Sequence, residues 1–456
     1  MSSVEAAETD EEGKGPFYYV ERGAINDPKQ YSKQEIRILV QSVLANSVNL
    51  STLIGSGASL PAVPLMGTIF QKYRDSLKNV PGEPSKTGGK DPLDCKIEDY
   101  LGKIADDNEV PSSEDSDVDS SIHTTEIKDF KDIEGFLSWL DYRIKGGVDG
   151  AKDDITLYRN IVSFLLEEIR SGDAAEQIND SGKDNVDSVG NNYRKVIQGL
   201  GESRRIVNAQ SSGHYDVINL FTTNYDLCHE RALEASRYAY TDGFTNGIKS
   251  TFSMTEFHRR PADLENRFKD HLELVNPFFR LIKLHGSINW KSDKENSQII
   301  RAQFSDNTDS KADLQDVLIS PTSSKFALTQ NEPYSDLFRE FVNTLAVPNT
   351  VLFTAGFSFG DDHIAKLILD ALARPDFTLY AFVSKPIISE ANHNGLSAFY
   401  SKAKSPNAFF IYPCEDAEEA KKGNSPLLFS DFADFFAPTT FTQSKTEDTE
   451  MKLPED

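Results

Sequence analysis

The sequence predicts an α/β protein built on a doubly wound, mostly parallel, Rossmann-like sheet that carries a large helical insertion. Short apolar runs recur after residue 212, and each ends in a polar or glycine-rich turn. Segments with helical periodicity separate several of these runs, as in a buried parallel sheet with helices on both faces. A long helical stretch also separates the first apolar run of the chain from the second, which places the insertion there.

Composition bounds the class of protein. The chain has 456 residues, of which 38% are hydrophobic and 10% aromatic, so it can bury a large core. A formal net charge of −24 without a dense run of Lys and Arg argues against direct nucleic-acid binding. The three cysteines, Cys95, Cys228 and Cys414, are far apart, which argues against a disulfide framework and excludes a four-cysteine zinc site. No apolar run approaches the roughly 18 residues that span a bilayer, and we expect a cytoplasmic protein.

The first half of the chain alternates helical segments with polar stretches. Residues 1–15 are acidic and are expected to form a disordered tail. Residues 32–45 and 66–77 have helical spacing and flank the strand predicted in NLSTLIGSGAS. Residues 80–121 are rich in Pro, Gly, Ser and acidic residues, and the segments PGEPSKTGGKD and ADDNEVPSSEDSDVDSS (81–91 and 105–121) are predicted to be flexible loops. Further helical patterns lie in FKDIEGFLSWLDYRI, DITLYRNIVSFLLEEIR and YRKVIQGLGESRRIV, so residues 78–212 form a mainly helical insertion in this prediction.

Six strand-like runs account for the rest of the predicted sheet. They are DVINLFTTN, FRLIKLHGS, DVLISPT, TVLFTAGFS, DFTLYAFVS and NAFFIYP. A final helix is predicted over 426–436, ahead of a polar tail over 438–456. Residues 16–77 and 213–437 are therefore assigned to one α/β domain, interrupted by the insertion.

The first candidate site motif is the glycine-rich end of the first strand. Glycines at the carboxyl end of a strand let backbone amides approach a pyrophosphate. A dinucleotide fingerprint would continue to a third glycine, but position 60 is Leu. The alternative is a tight turn after a buried strand. The motif consists of Gly55, Ser56, Gly57, Ala58 and Ser59.

The second motif, TTNYD, follows the strand in DVINLFTTN directly. In a functional site, the amide of Asn224 and the carboxylate of Asp226 would hold a ribose hydroxyl or a water. The alternative is that these side chains cap the next helix, which Asn and Asp commonly do.

Two further motifs end later strands. His285 follows the apolar run of FRLIKLHGS and precedes a glycine, and an imidazole exchanges protons near neutral pH. The segment TAGFSFGDDH places glycines around the hydroxyl of Ser358, which suits close approach to a ribose or phosphate. Its alternatives are a turn in which Asp361 or Asp362 caps a helix, or a metal-binding pair of acids. All four motifs lie at strand ends, where open α/β sheets bind ligands in one crevice.

The order GSGAS, TTNYD, KLHGS and GFSFGDD resembles the sirtuin fold. It is particularly similar to the bacterial sirtuin-like proteins of anti-phage defence systems. The resemblance covers most of residues 40–415 outside the helical insertion, and its specificity lies in the combination and order of the motifs.

The resemblance implies that NAD is the substrate and gives a role to each motif. Asn224 and Asp226 would lie beside the nicotinamide ribose, and His285 would be the acid/base residue. Further contacts to NAD, along its phosphates, ribose and adenosine half, would come from Gly55, Ser56, Gly57, Ala58, Ser59, Thr223, Gly356 and Ser358.

The chain departs from the sirtuin deacylases in ways that change the expected activity. Deacylases usually carry a four-cysteine zinc module after the catalytic His, which three scattered cysteines cannot build. The 61 residues from Asn224 to His285 exceed the deacylase spacing. The resemblance therefore implies an NAD hydrolase that needs no metal, forms homo-oligomers and works with a hexameric HerA-type ATPase. A non-catalytic module that binds NAD or ADP-ribose is the alternative, followed by a protein deacylase or ADP-ribosyltransferase.

Overall fold

The computed structural model describes most of the chain. The described residues are 17–23, 25–78, 92–108, 130, 133–147, 150–175, 188–210, 217–268, 271–293, 295–296, 298–302, 333–384, 395–413 and 427–438. The tail at 1–15, the polar tail from 439 onward and the strand predicted in DVLISPT lie outside them.

The helices, in chain order, are α1 (Lys33–Asn46), α2 (Met66–Lys78), α3 (Pro92–Asn108), α4 (Ile133–Gly146), α5 (Ala151–Ala175), α6 (Val189–Gln210), α7 (Cys228–Ala235), α8 (Tyr334–Leu345), α9 (Asp362–Leu372), α10 (Gly395–Lys402) and α11 (Phe429–Phe436). The strands are β1 (Phe17–Arg22), β2 (Ile25–Ser32), β3 (Asn49–Ile54), β4 (Val217–Thr222), β5 (Ala239–Thr241), β6 (Ala262–Phe268), β7 (His271–Leu274), β8 (Phe278–Lys283), β9 (Trp290–Asp293), β10 (Gln298–Arg301), β11 (Thr350–Ala355), β12 (Thr378–Phe382) and β13 (Ala408–Pro413).

Nine of these strands form one sheet in the order β2-β1-β13-β12-β11-β3-β4-β8-β5. Every pair from β13 to β5 is parallel, while β1 runs antiparallel to both β13 and β2. A mostly parallel sheet flanked by helices confirms the predicted fold class, an α/β fold with a Rossmann-like sheet.

The antiparallel edge of the sheet is absent from the sequence-based prediction. Strand β2 has the sequence INDPKQYS, whose polar residues and proline do not resemble a buried strand. An edge strand tolerates proline because one side of its backbone needs no partner strand. The pattern could therefore not be distinguished from a loop.

The parallel strands bury side chains on both faces, in two separate cores. Leu50 belongs to the first core and Leu53 to the second, because successive strand residues point to opposite faces. Residues of α1, α6, α7 and α11 fill the first core, and residues of α8, α9 and α10 fill the second. This double coverage explains why the strands appear in the sequence as continuous apolar runs.

Helices α2 to α5 pack around a third core of their own, which contains Phe70, Ile97, Phe136 and Ile161. Helix α6, by contrast, contributes to the core on the sheet, where Tyr193 and Leu200 are buried with residues of α1 and α11. The division of the chain at residues 78 and 212 stays a prediction. Among the described helices, none is both long and apolar enough to cross a membrane.

Helix α3 covers residues 92–104, which the sequence analysis assigned to no element, and extends over the first four residues of the loop predicted at 105–121. Leu93, Ile97 and Tyr100 are buried at helical spacing. Pro92 begins the helix, at a position where the missing N–H of proline costs nothing. The many acidic residues around these apolar positions obscured the pattern, and the rest of the segment lies outside the described residues.

Candidate functional site

Four neighbouring parallel strands end at one level of the sheet. Ala355 pairs with Ile54, Ile54 pairs with Thr222, and Thr222 pairs with Lys283. The first predicted site residue of each motif follows one or two positions later, so the register alone brings the four motifs to one edge. Asn224 and His285 each lie two residues beyond a paired position on adjacent strands.

The sheet changes direction of winding between β3 and β11. From β3 the chain continues to β4 and β8 on one side, and it later returns to β11 on the other side. Such a switch point opens a crevice at the carboxyl ends of the two strands. The glycine-rich turns after β3 and β11 meet there.

These two turns touch through their backbones. The Gly57 amide donates to the Gly356 carbonyl at 2.9 Å, and the Gly55 amide donates to the Ala355 carbonyl at 3.0 Å. A Cβ on Gly55 would lie 2.5 Å from the Gly356 oxygen, and Gly356 has a positive φ of 62°. Glycine is therefore required for contact between the two turns, a reason different from the ligand and from the tight turn that the sequence analysis considered.

A cavity of about 330 Å³ opens at this edge, within the size range of small-molecule sites. It brings together eight of the predicted site residues: Ser56, Ser59, Thr223, Asn224, Asp226, His285, Gly356 and Ser358. Gly55, Gly57 and Ala58 do not line it. Apolar lining comes from Val63, from Met66 and Ile69 of α2, and from Ile169 of α5.

Asn224 is buried and its side-chain amide is firmly held. Its Nδ2 donates to the Gly55 carbonyl at 3.1 Å and lies 3.1 Å from Ser59 Oγ and 3.2 Å from the hydroxyl of Tyr193. Its backbone amide donates to Thr222 Oγ1 at 3.0 Å. The carbonyl oxygen Oδ1 is buried and has no hydrogen-bond partner among the described residues. Asn224 lines the cavity, and a buried acceptor without a protein partner is one that a ligand or a water can satisfy.

Asp226 belongs to the same hydrogen-bond network as Asn224, to which it is linked through Ser59. Its Oδ2 accepts from Ser59 Oγ at 2.7 Å, and its Oδ1 accepts from the Cys228 amide at 3.1 Å, at the start of α7. The buried ammonium of Lys283 donates to the Asp226 carbonyl and pairs with Glu230 at 2.9 Å. These contacts hold the segment that follows Asn224 against Ser59, Lys283 and the start of α7.

His285 approaches an acidic partner from another strand end. Its Nε2 lies 3.2 Å from Oδ2 of Asp361, and both side chains are 7% exposed. The other oxygen of Asp361 accepts from the amides of His363 and Ile364, both at 3.1 Å, and so caps α9. The helix-cap alternative for Asp361 is correct, and the same carboxylate also reaches His285. Asp361 lines the cavity and completes a His–Asp pair that the sequence prediction did not include.

One group of buried side chains has the composition of a metal site. Ligand atoms of Asp173, Asp226 and Cys228 lie within 4.8 Å of one another. These donors are already engaged, because Asp173 pairs with Arg231 at 2.6 Å and Asp226 accepts from Ser59. Burial raises the pKa of the Cys228 thiol well above its usual value, which disfavours the thiolate that binds metals. The group fits a metal poorly.

Comparison with known protein families identifies a SIR2-like domain over residues 218–405. The matched region includes Asn224, His285 and the turn after β11, but not the turn after β3. A SIR2-like domain indicates NAD-related activity in general. A search of curated proteins finds no significant match.

Proposed function

We propose that this protein hydrolyses NAD to nicotinamide and ADP-ribose. The main support is the buried carbonyl oxygen of Asn224, which has no hydrogen-bond partner among the described residues and belongs to a side chain that lines the same cavity as His285. Two glycine-rich turns border the same cavity, and the SIR2-like match over 218–405 makes NAD the natural ligand.

The glycine-rich turns are proposed to hold the phosphates and the riboses of NAD. Serine hydroxyls at such turns can donate to phosphate or ribose oxygens, and here Ser56 and Ser358 supply them. Gly57 and Ala58 would act indirectly with Gly55, by fixing the turn against the segment at Gly356. Thr223 would contact the ribose from the third strand end.

The chemistry requires stabilisation of positive charge on a sugar. Nicotinamide is cationic in NAD and leaves as a neutral molecule, so the ribose carbon develops oxocarbenium character. Asn224 Oδ1 would orient the attacking water or a ribose hydroxyl by accepting a hydrogen bond. His285 would take the proton that water loses, and Asp226 would hold Asn224 through Ser59. The balance is NAD⁺ plus water giving nicotinamide, ADP-ribose and one proton.

The direct test incubates purified protein with NAD and quantifies nicotinamide and ADP-ribose by chromatography. Asn224→Ala and His285→Ala should each lower turnover by a factor on the order of 10²–10⁴, which is the usual contribution of general acid/base groups. The exposed residues Asn246 and His258 offer matched controls, and their Ala variants should retain wild-type turnover. Undiminished turnover in Asn224→Ala and His285→Ala would refute the site assignment.

The same assay separates hydrolysis from the alternatives. A module that only binds NAD or ADP-ribose would show saturable binding by calorimetry without any nicotinamide release. A deacylase would release nicotinamide only when an acyl-lysine peptide is present. Product formation from NAD and water alone supports hydrolysis.

The resemblance to defence proteins supports a wider proposal. In it, the chain forms a homo-oligomer, associates with a hexameric HerA-type ATPase and depletes NAD during phage infection. Copurification with a coexpressed HerA-type ATPase, and a fall in cellular NAD on infection that Asn224→Ala abolishes, are the expected results. Unchanged NAD in infected cells that carry both wild-type genes would contradict the defence role.

A further inference from the structure

Tyr193 reaches the candidate site from α6, a helix that precedes the SIR2-like match. Its side chain is 1% exposed, and its ring lies between His229 and Phe429, with both ring centroids 4.8 Å away. Burial lowers the pKa of His229 to about 3, so this neighbour is neutral at physiological pH. The phenol is therefore held by apolar and aromatic contacts that leave only its hydroxyl to point toward the site.

The hydroxyl of Tyr193 lies 3.0 Å from Ser59 Oγ and 3.2 Å from Asn224 Nδ2. The direction of the first hydrogen bond follows from a proton count. A serine hydroxyl has one hydrogen, and Ser59 donates it to Asp226 at 2.7 Å. Tyr193 must then donate to Ser59, so the hydrogen bonds run from Tyr193 through Ser59 to Asp226.

The direction of these hydrogen bonds determines the orientation of the side-chain amide of Asn224. Ser59 Oγ and Tyr193 Oη have spare lone pairs but no spare hydrogen toward Asn224, and the Gly55 carbonyl can only accept. All three neighbours can therefore only accept from Asn224, whose two Nδ2 hydrogens are shared among them, and a flipped amide would place Oδ1 against acceptors. The carbonyl oxygen Oδ1 is then the end of the amide that has no hydrogen-bond partner among the described residues.

We infer that Tyr193 is a positioning residue that fixes the amide of Asn224 with its oxygen toward the substrate. The inference rests on the proposed hydrolysis of NAD for its effect on turnover, but the orientation of the amide does not depend on that activity. Tyr193 does not line the cavity itself, so it acts through its hydrogen bonds to Ser59 and Asn224.

Tyr193→Phe is the informative variant because it removes the hydroxyl and keeps the ring between His229 and Phe429. Loss of one hydrogen bond in the chain is worth roughly 1.4 kcal/mol, which is about a ten-fold change. We expect kcat for NAD to fall about ten-fold with little change in KM, since the variant keeps the cavity walls. Tyr238→Phe, which removes a hydroxyl that approaches Glu202 at 3.5 Å, is the matched control and should retain wild-type kcat.

A second measurement does not depend on turnover. In protein labelled with ¹⁵N at asparagine, the side-chain amide of Asn224 is assigned from the signal that Asn224→Asp removes. Its hydrogens should exchange with solvent at least several-fold faster in Tyr193→Phe than in the wild type or Tyr238→Phe. Unchanged exchange would overturn the inference, even if the wild type hydrolyses no NAD. Faster exchange in a protein that releases no nicotinamide would support the positioning role and contradict the proposed function alone.

Discussion

Replacement of Asp361 by Asn separates two roles that the structure gives to one carboxylate. Oδ1 caps α9 through two backbone amides at 3.1 Å, and Oδ2 lies 3.2 Å from Nε2 of His285. An Asn side chain keeps a carbonyl oxygen for the cap and turns an NH₂ group toward His285. A carboxylate only accepts hydrogen bonds, so Asp361 favours a proton on Nε2 of the imidazole, whereas the amide donor favours the opposite tautomer.

The expected effects on stability and on turnover differ in size. Asn caps a helix about as well as Asp, and the lost charge near the helix N-terminus costs about 0.5 kcal/mol. Asp361→Ala loses both capping hydrogen bonds and should cost about 1 kcal/mol of unfolding free energy. Turnover of NAD should fall by at least about ten-fold. The fall should not exceed the factor on the order of 10²–10⁴ that removal of His285 itself would cause. The fall should be similar in both variants, because both lose the carboxylate.

The assay pairs nicotinamide release with urea unfolding for Asp361→Asn, Asp361→Ala and Asp362→Asn. Asp362 is an exposed residue in the first turn of the same helix, so its Asn variant makes the same charge change away from His285. It should retain wild-type turnover. Wild-type turnover in Asp361→Asn, together with the expected loss of stability in Asp361→Ala, would show that Asp361 only caps the helix.

Two further outcomes follow from the described geometry. Gly356→Ala should lower the unfolding free energy by about 1–3 kcal/mol and reduce turnover, because the positive φ is strained for alanine and the new Cβ would overlap the Ala58 amide. Gly102→Ala in α3, where a Cβ meets no described residue within 4 Å, should instead be neutral or stabilising by up to about 1 kcal/mol. A larger loss of unfolding free energy in Gly102→Ala than in Gly356→Ala, measured by urea unfolding, would contradict this account. Stability should also fall as pH is lowered from 7 to 4, because burial lowers the pKa of His229 from 6.5 to about 3 and only the unfolded chain binds this proton in that range. The loss should be at most about 3 kcal/mol, and it should shrink in His229→Gln; an unchanged pH dependence in that variant would assign the effect to other groups.

Much of the fold could be predicted because the parallel strands are buried on both faces. The runs at β3, β4, β8, β11, β12 and β13 are continuous and apolar, and each is followed by a clear turn. The convergence of Asn224 and His285 follows from the same signal, since parallel strand ends meet at one edge of a sheet. The edge strand β2 and the helix α3 were missed because polar residues interrupt their patterns.

Contacts between distant segments could not be predicted from local patterns. The residues around Tyr193 in the sequence have the pattern of an ordinary amphipathic helix and do not mark its hydroxyl as part of a site. In the structure, this hydroxyl hydrogen-bonds to Ser59, which lies 134 positions away in the sequence. Asp361 stood in a motif already singled out, but its approach to His285 depends on the angle at which α9 begins after β11.

The sequence alone thus shows which residues follow each strand, because apolar periodicity and turn residues are properties of neighbouring positions along the chain. It identifies an α/β sheet with Asn224, Asp226 and His285 at its edge. The packing of helices on that sheet determines how those groups are turned: Tyr193 comes from α6, Asp361 from the start of α9, and the apolar cavity wall from α2 and α5. Orientation is a consequence of three-dimensional packing, since a hydrogen bond needs two groups at one distance and angle whatever their separation in the sequence.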